Sequence, residues 1–281
     1  MISVNNLSFS YTKKPYIENT CFEVYSGEIF GFLGPSGAGK STLQKILTGL
    51  LTTYTGSVLV NGEEVKRHNN LFYENIGVDF EFPSLYEKLT ARENLEFFAS
   101  LYKKHRDVFT LLNCVGLQND ADKKVSDYSK GMKSRLNFIK ALLHEPKTLF
   151  LDEPTSGLDP SNSRILKDMI LEEKAKGRTI IITTHNMYDA TELCDRVAFI
   201  VDGKVKALDT PHNLIMRRGA SKLSYSYCEN GTEVKAEIPL GKTAEDAVLS
   251  GLIQSNSLKS IHSGEPTLND IFVELTGRRL Q

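Results

Sequence analysis

The clearest chemistry lies in nine consecutive residues, 34–42, which read GPSGAGKST and contain the spacing G-x-x-x-x-G-K-S/T in full. Their glycines can adopt positive φ and bring backbone N–H groups against phosphate oxygens without a clash from a Cβ atom. Lys40 can reach the β- and γ-phosphates of a nucleotide, and Ser41 can offer its hydroxyl to magnesium. The candidate nucleotide contacts are therefore Gly34, Pro35, Ser36, Gly37, Ala38, Gly39, Lys40, Ser41 and Thr42.

The residues on either side favour a binding loop over a glycine-rich turn that only begins a helix. Residues 28–33 read as a buried strand, and residues 43–47 read as the helix that follows. The unpaired N–H groups and the positive dipole end of that helix point at the anion that the loop would hold. We therefore predict that residues 34–42 bind the phosphates of a nucleotide.

A second group of candidate residues stands at the carboxyl ends of buried strands. Asp152 and Glu153 close the apolar run at 148–151, and His185 follows the apolar run at 179–184. A lone Glu or His at a strand end is usually structural. Strands that alternate with helices, however, predict a parallel sheet, and such strands end at one shared edge. We expect the phosphate loop and these three side chains to lie together along that edge.

Alternating apolar and polar residues predict a β layer near the amino terminus. The alternation covers residues 2–11 and 21–24, and a further strand at 56–62 ends in an Asn-Gly turn, a strong hairpin signal. Tyr11 lies at the tip between the first two strands. An aromatic ring there either stacks on a purine or packs on the surface.

Helix caps then predict a helical section. Thr90 and Glu93 have capping-box spacing, Gly116 stops a second helix, and Ser129 caps a third that runs to about residue 144. The remaining predicted elements are a helix at about 161–176, a hairpin around Asp202-Gly203, strands at 223–227 and 232–239, and a helix near 244–252.

Composition excludes several classes of protein. The 281 residues carry a formal net charge of -1, so no overall charge favours nucleic acid as a partner. Cys21, Cys114, Cys194 and Cys228 are scattered without the spacing of a zinc site or a disulfide framework, which fits a reducing compartment. There is no signal-peptide pattern and no apolar run of about 18 residues, so we expect a chain that neither crosses a membrane nor is exported.

Taken together, these motifs resemble the ATP-binding subunit of an ABC transporter over residues 2–215. Tyr128-Ser129-Lys130-Gly131-Met132 stands where that family has its L-S-G-G-Q signature, and Asp-Glu-Pro-Thr-Ser-Gly-Leu-Asp-Pro follows at 152–160. The run at 265–278 resembles the tail of subunits that serve bacterial exporters of drugs, lipids, glycans or peptides. The resemblance therefore implies the exporter type.

The resemblance also implies the fold and its division into domains. The expected class is α/β, a P-loop NTPase with a parallel sheet core, an antiparallel β subdomain, a helical subdomain and a small α+β carboxyl-terminal extension. Residues 1–215 would form the ATP-binding domain, with the helical subdomain at about 82–146. Residues 216–281 would form the accessory domain.

Individual roles follow from the same resemblance. ATP and Mg²⁺ are the implied ligands, with Tyr11 against adenine and Lys40 on the phosphates. Ser41 and, through water, Asp152 would hold magnesium. Glu153 would orient or deprotonate the attacking water, and His185 would hold the γ-phosphate and that water in line, since phosphoryl transfer mainly requires positioning.

The implied partners are a membrane-spanning permease and a second ATPase subunit. In the family, Ser129 and Gly131 would cap the γ-phosphate held by the other subunit, and Asp159 would lie at that interface. One phosphate loop and one signature cannot build a paired site alone, so a homodimer or a heterodimer is implied. The expected location is cytoplasmic, at the inner face of the cell membrane, where the permease would hold the chain. Nucleic acid is not an expected partner.

Two departures from the family pattern stand out. Lys130 and Met132 replace a glycine and the glutamine of the signature. Glu81 stands where the family has a glutamine that contacts magnesium, and no glutamine occurs between Gln44 and Gln118. Glu81 is thus either a metal ligand or a contact to the permease.

Two other functions are alternatives to transport. One is an ABC ATPase outside transport, and the other is a module that binds nucleotide in order to regulate. A GTPase is disfavoured because the sequence lacks Asn-Lys-x-Asp. The presence of Glu153 and His185 favours hydrolysis over regulation alone.

Overall fold

The strands and helices alternate as the sequence predicts. The computed structural model describes residues 1–82, 84–217, 222–229, 231–264 and 266–277. The strands are β1 (Ile2–Phe9), β2 (Ile17–Val24), β3 (Ile29–Leu33), β4 (Thr55–Val60), β5 (Glu63–Glu64), β6 (Ile76–Asp79), β7 (Thr148–Asp152), β8 (Thr179–Thr184), β9 (Arg196–Val201), β10 (Lys204–Asp209), β11 (Lys222–Glu229), β12 (Thr232–Pro239) and β13 (Leu258–Gly264). The helices are α1 (Lys40–Leu47), α2 (Asn70–Glu74), α3 (Ala91–Ala99), α4 (Val108–Cys114), α5 (Lys130–Leu142), α6 (Pro160–Ala175), α7 (Met187–Leu193), α8 (Pro211–Met216), α9 (Ala247–Gln254) and α10 (Leu268–Thr276).

Two sheets build the first of two units, Met1–Leu208. One sheet has the strand order β2-β1-β4-β5, and its paired strands are antiparallel. The other has the order β10-β9-β3-β8-β7-β6, with β9, β3, β8, β7 and β6 in parallel. The predicted α/β class with a parallel core and an antiparallel β layer is confirmed.

The core of this unit explains why the central strands read as continuous apolar runs. Every residue of β3, β7 and β8 is buried, as expected for parallel strands covered on both faces. One apolar cluster joins the two sheets and α1, and within it the rings of Phe22, Phe30 and Phe32 lie 5.3–6.0 Å apart. The ends of the buried strands are therefore held firmly in place.

Turn chemistry places the hairpins where the sequence predicts them. Asn61 and Gly62 have φ of 54° and 84°, and Asp202 and Gly203 have φ of 51° and 71°. Positive φ at both central residues matches the twist of a two-residue hairpin, and Asn, Asp and Gly tolerate it best. Both predicted hairpins are present.

The helical section is organised by its caps. Thr90 and Glu93 form the predicted capping box at α3, Asp107 caps α4, and the Ser129 hydroxyl accepts from the Met132 N–H at 3.2 Å to cap α5. α5 packs against β6, so the helix that follows the signature lies against an edge strand of the parallel sheet.

The second unit spans Asp209–Leu280 and contains an antiparallel sheet of order β12-β11-β13 with α8, α9 and α10. The strands predicted at 223–227 and 232–239 are present. β13 is not predicted, because most of its side chains are exposed and show no apolar alternation. The helix expected near 244–252 begins only at Ala247, because Asp246 caps it by accepting from the Leu249 N–H at 2.7 Å.

Residues 83, 218–221, 230, 265 and 278–281, which fall within the predicted helical subdomain and accessory domain, lie outside the described residues. The predicted domain boundary at residue 215 falls within α8, whereas the two units divide after Leu208. Among the helices that the structure describes, none combines the length and the apolar character needed to span a membrane.

A buried ion cluster fastens the helical section to α6. Glu173, whose side chain is 2% exposed, accepts from Arg106 at 2.8 and 2.9 Å and from Lys176 at 2.8 Å, and it also pairs with Arg178. Burial alone would raise the pKa of Glu173, but these hydrogen bonds and positive charges outweigh it and lower the pKa to about 2. The carboxylate is thus charged at neutral pH.

We predict that Glu173→Gln lowers the free energy of unfolding at neutral pH, because two partly buried arginines, Arg106 and Arg178, lose their counter-charge. A lowered folded-state pKa gives stability that is present above pH 4.5 and is lost as the pH falls towards 2. Urea denaturation between pH 7 and pH 3 should therefore show the difference from wild type shrinking with acid. Glu172→Gln, at the exposed neighbouring position, is the control; a pH-independent difference for Glu173→Gln would contradict this assignment.

Candidate nucleotide-binding site

Close backbone contacts shape the loop between β3 and α1. A Cβ atom on Gly34 would lie 2.2 Å from the carbonyl oxygen of Ile200 in β9, so only glycine fits there. Gly37 has φ of 77°, and a Cβ atom on it would meet nothing within 4 Å. α1 then begins at Lys40, after Gly39 with φ of 110°. The loop therefore packs closely against β9 at Gly34 and has open space at Gly37.

That open side is a cavity of about 250 Å³. It is lined by the predicted phosphate-loop residues, except Gly34 and Pro35, and by the predicted strand-end residues, as expected for side chains at one edge of a parallel sheet. Its lining residues are Tyr16, Ser36, Gly37, Ala38, Gly39, Lys40, Ser41, Thr42, Glu81, Asp152, Glu153 and His185.

Lys40 carries its positive charge among the acidic side chains of the cavity. Its Nζ donates to the carbonyl oxygens of Gly34 at 2.6 Å and Pro35 at 3.1 Å. Burial lowers the pKa of Lys40, whereas the negative charges of Glu153, Asp152 and Glu81 raise it. The lysine therefore holds its own loop and faces three carboxylates at once.

Glu153 is fixed in an unusual backbone conformation. Its φ is 50°, which costs a residue other than glycine about 1 kcal/mol or more, and its N–H donates to Thr183 O at 2.9 Å. One carboxylate oxygen lies 2.8 Å from His185 Nδ1, and the other accepts from the Thr184 hydroxyl at 3.2 Å. Strain held in this way is typical of functional sites, and the pair can orient a water molecule.

The cavity also holds oxygen ligands of the kind that magnesium prefers. The Ser41 hydroxyl and the carboxylates of Asp152 and Glu81 all line it, and Asp152 accepts from the Thr183 hydroxyl. Within the described part of the chain there is no group of three or more His, Cys, Asp or Glu able to hold a metal by themselves. Magnesium usually keeps water and phosphate ligands, so this oxygen set fits it.

A second cavity of about 540 Å³ adjoins the loop and contains the two tyrosines of the β1–β2 connection. Tyr11 is 56% exposed, and its hydroxyl lies 3.1 Å from Thr42 Oγ1. Tyr16, which the sequence analysis missed, lines both cavities and donates its hydroxyl to Gly37 O at 2.8 Å. Its only sequence signal is a second aromatic residue in the same connection. Lys14, Lys204 and Lys206, also missed, line the same cavity.

The signature residues and Asp159 do not line either of these cavities. Ser129 and Asp159 are exposed helix caps, the latter accepting from the N–H groups of Ser161 at 3.1 Å and Asn162 at 3.0 Å. The backbone hydrogen bond from Asn162 lowers the pKa of Asp159. A Cβ atom on Gly131 would lie 3.6 Å from Leu158 Cδ2.

Glu81 lies two residues after a buried acid. Asp79, the last residue of β6, is 5% exposed, and burial raises its pKa to about 7 although the charge of Lys140 and the bond from Asn137 lower it. Asp79 was not singled out from the sequence, because a polar residue at a strand end reads as the start of a loop.

Known proteins match this chain along its whole length. Residues 17–156 match the family described as ABC transporter. The chain is 48% identical to a fluoroquinolones export ATP-binding protein of Mycobacterium tuberculosis, over 100% of this chain and 94% of that protein. It is 35% identical to Nod factor export ATP-binding protein I of Rhizobium meliloti, over 100% of this chain and 89% of that protein. A solved structure described as an ATP binding subunit of an ABC transporter has a TM-score of 0.72 at 31% identity, covering 78% of this chain and 93% of that chain.

The loop geometry predicts that two alanine substitutions lower the free energy of unfolding by different amounts. Gly34→Ala should lower the free energy of unfolding by about 3 kcal/mol or more, because its Cβ would meet the backbone of Ile200, which cannot move aside. Gly37→Ala should cost only about 1–2 kcal/mol for the left-handed conformation, since nothing occupies the space. Urea denaturation without nucleotide measures both, and equal losses would contradict the close approach to β9.

Proposed function

The chain belongs to the ATP-binding proteins of ABC transporters, and we propose that it binds and hydrolyses ATP to drive export by a separate membrane permease. The resemblance predicted from its motifs is thereby confirmed. The observation that carries the proposal is the single cavity that holds the phosphate loop, Glu153 and His185 together. Both relatives described above are named for export, which favours transport over the two alternative functions.

The residues of the two cavities divide the binding of the nucleotide and the work of phosphoryl transfer. Loop N–H groups and Lys40 bind the phosphates, and Tyr11 stacks on the adenine. Glu153 orients the attacking water and accepts its proton, while His185, hydrogen-bonded to Glu153, keeps the water and the γ-phosphate in line. Ser41, Asp152 and Glu81 would hold magnesium, which supplies counter-charge to the phosphates when bound.

A complete site needs a second subunit under this proposal. Ser129, Gly131 and Asp159 stand outside the cavity that contains the phosphate loop of their own chain, as they would if they acted on the nucleotide of a partner. The partner is either a second copy of this chain or a similar subunit. The pair would sit at the inner face of the cell membrane, bound to the permease.

Glu153→Gln tests the catalytic assignment. The amide keeps the shape of the side chain but loses its negative charge and basicity, so we expect ATP binding to remain and hydrolysis to fall at least about a hundredfold. ATP should then trap a dimer, visible by size-exclusion chromatography with and without ATP. Hydrolysis at the wild-type rate would remove Glu153 from this role.

Lys40→Ala provides the contrasting variant. It deletes the cation that faces the phosphates, so nucleotide affinity itself should fall, whereas Glu153→Gln leaves it intact. Calorimetric titration with ATP separates the two effects. Unchanged affinity in Lys40→Ala would count against the phosphate-loop assignment.

Glu81→Gln tests whether Glu81 is a metal ligand. A carboxylate holds magnesium more firmly than an amide oxygen, but without magnesium it repels the γ-phosphate. We therefore expect ATP affinity to depend on magnesium more steeply in wild type than in Glu81→Gln. If the two magnesium titrations superimpose, the assignment of Glu81 as a metal ligand fails and a contact to the permease is favoured.

A further inference from the structure

A buried polar pair connects the strand before Glu81 to the helix after the signature. Asp79 ends β6, and Asn137 lies in α5; they are 5% and 1% exposed. Asn137 Nδ2 donates both to Asp79 Oδ1 and to the carbonyl oxygen of Phe80, the latter at 3.2 Å. One amide therefore binds the side chain before the loop and the backbone of the loop itself.

Stability does not explain this pair. A carboxylate inside a protein costs free energy even when it is hydrogen-bonded, and replacing buried charged groups with well-packed apolar ones is often neutral or stabilising. Asn137 Oδ1 is also buried without a hydrogen-bond partner, which adds to the cost. A costly arrangement next to a functional loop suggests that it fixes a position.

The loop is held on both sides of Glu81. Asn137 binds Phe80 O on one side, and Lys140, one turn further along α5, donates to Ser84 O at 3.1 Å on the other. Lys140 Nζ also lies 4.9 Å from the centre of the Phe98 ring, so its side chain is itself held by α3. Glu81, between these two anchors, lines the phosphate cavity.

We propose that Asp79 and Asn137, supported by Lys140, are positioning residues that set the place of Glu81 in the nucleotide site. This inference rests on the proposed ATPase function. α5 begins after Ser129 and carries both anchors, so Glu81 and the signature serine belong to one hydrogen-bonded unit. A displacement of Glu81 by about 1 Å can lower the rate about a hundredfold, because phosphoryl transfer depends on position.

The test compares two variants of the full-length chain. Asp79→Val with Asn137→Ala replaces the pair by apolar side chains of similar total volume, so no cavity forms. Urea denaturation should show that the variant still folds, although Lys140 loses a nearby negative charge and Phe80 O loses a donor. We expect kcat to fall about ten- to hundredfold, and at saturating magnesium the dissociation constant of ATP should change much less than kcat does, since the phosphate loop is untouched. Asp79→Asn keeps an acceptor for Asn137 and should retain kcat within about threefold.

Two controls make the result specific. Thr148→Val removes a partly buried hydrogen bond of 3.0 Å to Asn61, at the end of β7 away from Asp152, and should leave kcat unchanged. In a Glu81→Ala background, the apolar pair should lower kcat no further, because the pair acts through Glu81.

The negative outcomes of these experiments distinguish the proposed function from the inference about Asp79 and Asn137. No ATP hydrolysis by wild type, alone or with its permease, would overturn the proposed function. Hydrolysis by wild type with an unchanged kcat in the apolar pair would overturn this inference alone. An equal loss in Asp79→Asn, or an additive loss in the Glu81→Ala background, would overturn it as well.

Discussion

The balance of charge around Lys40 is the constraint on which the nucleotide site depends. Three carboxylates act on the ammonium of Lys40, a buried residue, and that ammonium is hydrogen-bonded to carbonyl oxygens of its own loop. A nucleotide brings more negative charge into the same cavity. Carboxylates and phosphates can share it only if a bound cation and the N–H groups of the loop supply the counter-charge. The oxygen ligands and the glycines are therefore parts of one electrostatic arrangement.

The loop that carries this charge is held by its neighbours. Gly37 O accepts from the Tyr16 hydroxyl, Ala38 O accepts from the Gly203 N–H at 2.9 Å, and Gly34 lies against the backbone of β9. A carbonyl oxygen that is hydrogen-bonded in this way is not free to turn into the cavity, where it would repel a phosphate. Residues far apart in the sequence thus keep the loop ready for an anion before any ligand arrives.

Local patterns were enough to predict the loop, the buried strands and the caps, because each depends on neighbouring residues. The Asn61-Gly62 turn and the capping box at Thr90 are such cases. Tyr16 and the pair of Asp79 and Asn137 could not be predicted, since their meaning comes from contacts across 21 and 58 positions of the chain. Glu153 is intermediate: its position after a strand was visible, but its backbone strain and its bond to His185 required the fold.

The caps at Ser129 and Asp159 differ in the hydrogen-bonding capacity that they would leave available to a second subunit in the proposed dimer. A hydroxyl has one donor and two acceptor sites. Ser129 uses an acceptor site for the Met132 N–H, so its O–H can still donate to a phosphate oxygen. Asp159 is an anion whose pKa is lowered, and its oxygens already accept from Ser161 and Asn162. At the interface of the proposed dimer it would repel a phosphate and favour an N–H group or a cation, so the two residues would suit different parts of a partner subunit.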